Sequence, residues 1–239
     1  MSSINSIHFQ TSFRSGGNLT NPSFILNDTL NDIVGVKVKS AMIPLSFYTF
    51  DTRNQYIYFV EGSGSTLTAI IPSGIYTSST LPAVLQTAMN GAVGATLTYT
   101  ITYSAVSNKL TFTASLSTLK FVSGANNAYY ELGIISTDLN APSLSITPSQ
   151  TIDLSGVKVI NFVSNISGVQ VINKNFNVLC SIICEDSQNS IQAFRDDGND
   201  YINTNISSLS DLHFNLYDEF FRVLTPLKDF SITVNFQVK

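Results

Sequence analysis

The chain has 239 residues and is 44% apolar, with 16 Phe and 10 Tyr, which suits one substantial core and argues against disorder. Lys, Arg, Asp and Glu supply only 12% of the residues, against roughly 25% in an average soluble domain. The net charge is −4 and the 12 basic residues are scattered, which excludes the clustered cations that a sequence-independent grip on nucleic acid requires.

Period-two alternation of apolar and polar residues recurs along the chain, the pattern of half-buried antiparallel strands. The first strand is expected over 4–13. Val34, Val36 and Val38 then alternate with Gly35, Lys37 and Lys39. Strands at 55–60 and 66–71 follow, set off by the turns Asp51-Thr52-Arg53-Asn54 and Gly62-Ser63-Gly64-Ser65. The next segment changes period: after Ser78-Ser79-Thr80, the residues Leu81, Val84, Leu85, Ala88 and Met89 recur at helical spacing. Pro82 falls in the first turn and Gly91 closes the run, so one amphipathic helix is expected over about 80–90.

Leu97, Tyr99, Ile101 and Tyr103 interleave with three threonines, and a turn at Ser107-Asn108 leads to a strand over 109–114. Further strands are expected at 119–122, 157–163 and 177–184. Residues 136–151, with Pro142 and Pro148, read as irregular, and so does the polar stretch 185–210. Leu212, Phe214 and Leu216 form another alternation, and Phe230, Ile232, Val234, Phe236 and Val238 form the last. Some ten short strands with this spacing predict an all-β, antiparallel β-sandwich or barrel.

Chemistry-bearing groupings are sparse. Asp196-Asp197-Gly198-Asn199-Asp200 offers oxygen ligands around a glycine but lacks the ligand spacing and distal Glu of a calcium loop, so a solvated turn is expected. The glycines at 62–64 lack the lysine and following helix of a phosphate loop. His8 and His213 lie in separate strand patterns, His213 on a polar face, and neither neighbours a serine elbow or a metal-ligand spacing. Tyr99 and Tyr103 share a face with Leu97 and Ile101 and read as core, whereas Tyr56 and Tyr58 read as better exposed. Cys180 and Cys184 would lie about 13 Å apart along a strand, too far for a mutual disulfide, and are expected to be buried free thiols in a reducing compartment. No catalytic, cofactor-binding or metal-binding residue is assigned. The first residues lack the basic start and apolar run of a secretory signal, and no stretch approaches about 18 uninterrupted apolar residues.

The order of the segments is informative. VKVKSAMIPLSFYTFDTRNQYIYF precedes IPSGIYTSSTLPAVLQTAMN; then come LTYTITYSAVSNKLTFTAS, ELGI, DLSGVKVINFVSNI and finally LSDLHFNLYDEFF with DFSITVNFQV. This succession resembles the single jelly-roll penton and minor capsid proteins of virophages, polinton-like viruses and large double-stranded DNA viruses. The pieces that carry it are Ile43-Pro44 with Tyr48, the step from Ile71 to Tyr76, and Leu132-Gly133-Ile134. The resemblance implies a single jelly roll over 33–239 with one short inserted helix, and an N-terminal arm or first strand over 1–32. It also implies a non-enzymatic homopentamer at the icosahedral vertex of a double-stranded DNA virus, contacting a double jelly-roll major capsid protein. The expected location is the virion, assembled in host cytoplasm or a virus factory, with no cofactor, direct nucleic-acid contact or membrane span. A low-charge flank fits such packing, since few ions must be stripped of water. The alternatives are a carbohydrate-binding or receptor-attachment sandwich using 185–210, its acidic turn and a Tyr, and a sandwich hydrolase, for which no catalytic grouping emerges.

Overall fold

The structure is a computed structural model that describes residues 3–166, 169–170, 177–185 and 189–239, with side chains omitted at 169–170. Fourteen described strands, all paired antiparallel, and one helix of ten residues make it the all-β architecture that the alternation predicts. The described chain gathers into two compact units, Met1–Phe47 with Val157–Lys239, and Tyr48–Gly156. The second is thus inserted in sequence between two strands of the first.

In the first unit β1 (Ser3–Gln10) pairs with β14 (Ser231–Val238), and β14 pairs with the 22-residue β2 (Ser23–Pro44). On its other side β2 pairs with β13 (Ile202–Tyr217) and with β12 (Ile191–Arg195). Beyond them lie β9 (Val159–Ser164), β11 (Asn177–Ile183) and β10 (Val169–Gln170). Between Leu209 and Asp211 of β13 the partner on β2 jumps from Leu30 to Ile25, and Asp32 has φ 52°. Such bulges bend a strand, and here the β2–β13 ribbon carries the sheet round a shared core. Phe9, Val36, Ile232 and Phe236 pack in the same cluster as Phe162, Leu179, Phe214 and Leu216. Phe9, Phe24 and Phe214 meet at ring separations of 5.1–6.1 Å in tilted and edge-on geometry.

The second unit has two three-stranded sheets. One is ordered β4 (Thr66–Ile70), β3 (Tyr56–Glu61), β7 (Leu119–Phe121), and the other β5 (Tyr99–Ser104), β6 (Lys109–Ala114), β8 (Ser145–Ile146). Ile57, Phe59, Ile101, Phe112 and Phe121 share one core with Leu81, Leu85 and Met89 of α1 (Leu81–Asn90). Burying each of these helix side chains contributes about 2 kcal/mol. The helix lies where the 3.6-residue spacing places it, with Pro82 in its first turn and Gly91 at its end; Thr80 precedes it without a side-chain cap hydrogen bond. A one-turn helix α2 (Tyr129–Leu132) ends at Gly133, φ +74°, where a Cβ would collide with the carbonyl oxygens of Gln150 and Thr151. Only glycine fits that step.

Two expectations need correction. The stretch 185–210, read as irregular, contains β12 and the first half of β13; residues 186–188 lie outside the described residues. Its strands pair with β2, and Ile202, Thr204 and Ile206 keep a period of two that asparagines dilute. β2 itself runs unbroken from Ser23 to Pro44. Finally, Lys37 does not face solvent: it is buried between Val36 and Val38 on a strand covered on both faces.

Candidate interaction surface

The residues singled out for chemistry end up apart and engaged. His8 Nδ1 lies 3.0 Å from Thr233 Oγ1, and His213 Nε2 lies 2.6 Å from Asp211 Oδ2, both on exposed strand faces. In the acidic turn, the Asp196 carboxylate lies 3.1 Å from the Lys37 amine, and Asp197 takes Lys39 at 2.7 Å and Arg195 at 2.9 Å. Hydrogen bonds from Lys37 and from the Gly198 N–H hold Asp196 below the ordinary carboxylate range. These carboxylates serve as anchors that tie the turn to β2, and Lys37 also donates to the Gly198 carbonyl at 2.6 Å. Among the described residues, no group of three His, Cys, Asp or Glu gathers closely enough to hold a metal ion. The glycines at 62–64 form the β3–β4 hairpin turn, with Gly62 at φ +52°.

Tyr99 is fully buried, its hydroxyl donating to Glu61 Oε1 at 2.8 Å, and Tyr103 is half-buried. Tyr56 and Tyr58 are half-buried and stack at 6.0 Å, with the Tyr58 hydroxyl donating to the Ala125 carbonyl. Cys180 and Cys184 form no disulfide with each other and are half-buried rather than enclosed. Burial pushes the Cys180 thiol up to about 12, with the nearby Asp196 charge adding to the effect.

Several ions of the described chain are paired within it. Asp51 and Arg53 pair at 2.8 Å under cover, with Arg53 also donating to the Tyr48 carbonyl. Asp218, almost wholly buried, accepts from the Phe220 and Arg222 N–H groups and from Arg222 Nε at 2.7 Å. One face of the second unit is lined with hydroxyl groups. On the β5–β6–β8 sheet, Thr100 sits opposite Thr113 and Thr102 opposite Thr111, with Thr111–Thr147 and Thr113–Ser145 hydroxyl contacts of 2.8 and 2.9 Å.

At one set of loops in the second unit, Val93 is 95% exposed and Leu116 86%. Glu61 fixes those loops: its carboxylate accepts from the Thr96 and Leu97 N–H groups and from the hydroxyls of Thr96 and Tyr99. Ser115 N–H then donates to the Thr98 carbonyl. In the first unit Phe13 and Ile25 are the large apolar side chains most open to solvent. Sequence reading missed these two residues. The signal was available: each is a large apolar residue on the polar phase of an alternating segment, or just past its end. Rigid, uncharged surfaces dotted with exposed aliphatic groups are chemically suited to contact with other protein surfaces.

The fold defines a class of architecture: an all-β, antiparallel jelly-roll protein with one short helix. Among solved structures, the chain is similar to the penton protein of mavirus, at 11% sequence identity, with a TM-score of 0.50 over 99% of both chains. Two domains of the flagellar cap protein of Escherichia coli align over 98% of both chains at 13% identity, but a TM-score of 0.17 carries no shared fold. No family model and no curated protein matches the sequence. The penton-type fold is therefore visible in three dimensions and not in sequence identity.

Proposed function

We propose that this protein is a non-enzymatic capsid component, the penton that closes the five-fold vertices of an icosahedral double-stranded DNA virus. The observation that carries the reading is the end-to-end fold match with a penton protein. The surface chemistry supports it. A subunit enclosed by neighbours on its flanks gains from having few ions to desolvate, and several ions of this chain are held in internal pairs. Five identical copies form a closed ring through one repeated heterologous contact, with major capsid proteins on the outer flank. The protein works in the virion, without a cofactor and without gripping the genome directly. No helix among the described residues is long and apolar enough to cross a membrane.

Sedimentation of the purified protein from micromolar to near-millimolar concentration tests this. The expected result is a species of about five times the monomer mass that grows with concentration. A protein that stays monomeric over the whole range, and does not join particles of its major capsid protein, contradicts it.

A further inference from the structure

β5 is an edge strand of its sheet, and α1 closes that edge with side chains rather than with a further strand. Asn90, the last residue of α1, donates from Nδ2 to the Tyr99 carbonyl at 3.1 Å and accepts the Tyr99 N–H on Oδ1 at 2.6 Å. One turn earlier, Gln86 Oε1 accepts the Ile101 N–H at 3.2 Å. The two side-chain amides thus occupy outward backbone groups that an added strand would otherwise pair. Tyr99 is fully buried, so the same latch holds a core residue in place.

Asn90 is followed by Gly91, and no other asparagine of the chain precedes a glycine. This pair carries a chemistry of its own. The Gly91 nitrogen, after losing its proton to solvent base, can attack Cγ of Asn90. The bond from Cγ to the side-chain nitrogen then breaks, ammonia leaves and a cyclic succinimide remains. Water opens that ring at either carbonyl, giving Asp or isoaspartate. The sequence consumes water, releases ammonia and needs no other reactant. Glycine favours the attack because it has no Cβ to obstruct the approach.

The folded chain holds both reacting groups back. The Gly91 N–H is donated to the Thr87 carbonyl at 2.9 Å, continuing the helical ladder, while the Asn90 amide is turned to β5. Water has access, since Asn90 and Gly91 are both exposed. What the attack lacks is freedom: the last turn of α1 must unwind and both Tyr99 hydrogen bonds must break.

We propose that Asn90–Gly91 is a deamidation site gated by the end of α1, closed in the folded unit and reactive when that turn opens, and that its product cannot close the latch again. A carboxylate has no donor for the Tyr99 carbonyl and sets a negative charge against it. Isoaspartate also adds a methylene to the backbone at the helix end. The modification is therefore a lasting record of opening, and it leaves the β5 edge uncovered.

Peptide-resolved mass spectrometry tests this by following Asn90 in the wild type and in Gly91→Ala, each folded and in urea, in mildly alkaline buffer. Gly91 has φ −90°, and a Cβ there meets the Thr87 and Ala88 carbonyl oxygens at 3.1 and 3.9 Å, so alanine asks only a slight shift of the turn. Reaction through an open form scales with the population of that form, so the wild type is expected to deamidate at least about tenfold faster in urea than folded. In urea, Gly91→Ala is expected to react at least about tenfold more slowly than the wild type. Wild type aged in the folded state and freed of unreacted chain by ion exchange is expected to show faster hydrogen exchange at the Tyr99 and Ile101 amides, as is fresh Asn90→Asp. Equal wild-type rates in the folded state and in urea overturn the gate, and absence of product in urea overturns the site. Unchanged exchange at Tyr99 in both the aged chain and Asn90→Asp overturns the latch.

Discussion

Glu61 shows how one side chain sets the order of a surface. Burial acting alone raises its carboxyl, but hydrogen bonds from Thr96, Tyr99 and the backbone of Leu97 and Thr96 outweigh it and hold the group below its ordinary value. A carboxyl depressed in the folded state adds stability above its unfolded value, about 4.3, and that contribution is lost as pH falls through the folded value. Melting temperature measured from pH 7 to pH 3 is expected to fall steeply at the acid end in the wild type, and less steeply in Glu61→Gln from a lower starting point. Parallel curves for the two proteins would show that Glu61 has no such role. At Asp218 the chemistry is that of a buried anion whose N–H and guanidinium donors are all supplied locally. Asp218→Ala removes the buried carboxylate that takes Arg222 Nε and two backbone N–H groups, and is expected to cost about 3 kcal/mol in denaturant unfolding. Cys180 is masked by the opposite effect. With its thiol near 12, the thiolate fraction at pH 8 drops by roughly a thousandfold relative to a free cysteine, and peptide-resolved alkylation is expected to be slowed in proportion. Residues of this kind were only partly legible in the sequence. The mild roles of His8 and His213 followed from their strand phase, whereas the burial of Lys37 did not. Alternation reports which residues share a face; it does not report that both faces of β2 are covered.

At the scale of elements, legibility followed the strength of the period. The helix α1 was readable because three buried residues, Leu81, Leu85 and Met89, recur at the 3.6-residue spacing between a proline start and a glycine stop. β6 and the β3–β4 hairpin were readable because strong alternation met clear turn residues. β12 and the early part of β13 were missed because their inward positions hold few large apolar residues and their pairing partner, β2, lies about 150 positions or more away in sequence. Long-range pairing supplies the order that local composition lacks. The exposed aliphatic groups were less legible still, since they stand out only once neighbours in space are known. Leu85→Ala tests the element-level account. The side chain is fully buried in the core of the second unit, and truncation is expected to cost roughly 3 kcal/mol. Hydrogen exchange should quicken over β5 and β6, which share that core. A loss below about 1 kcal/mol would contradict the packing described.

Over the whole molecule, the low charge and the exposed aliphatic groups share one physical reading. Each lowers the cost of covering this surface with another protein. A freely diffusing domain with this much apolar and hydroxyl surface has little to keep copies apart, since net charge is the usual source of colloidal repulsion and here it is −4 over 239 residues. Association is thus the expected behaviour of the chain, and a symmetric ring limits it to a finite particle rather than a fibre.

The central claim is that sister subunits cover these poorly ionised sides in a closed ring. Electron-microscope class averages of the purified protein, negatively stained at the highest soluble concentration, address it most directly. Rings with five-fold symmetry are the predicted result; fields of single separate subunits, or open filaments without closure, contradict it.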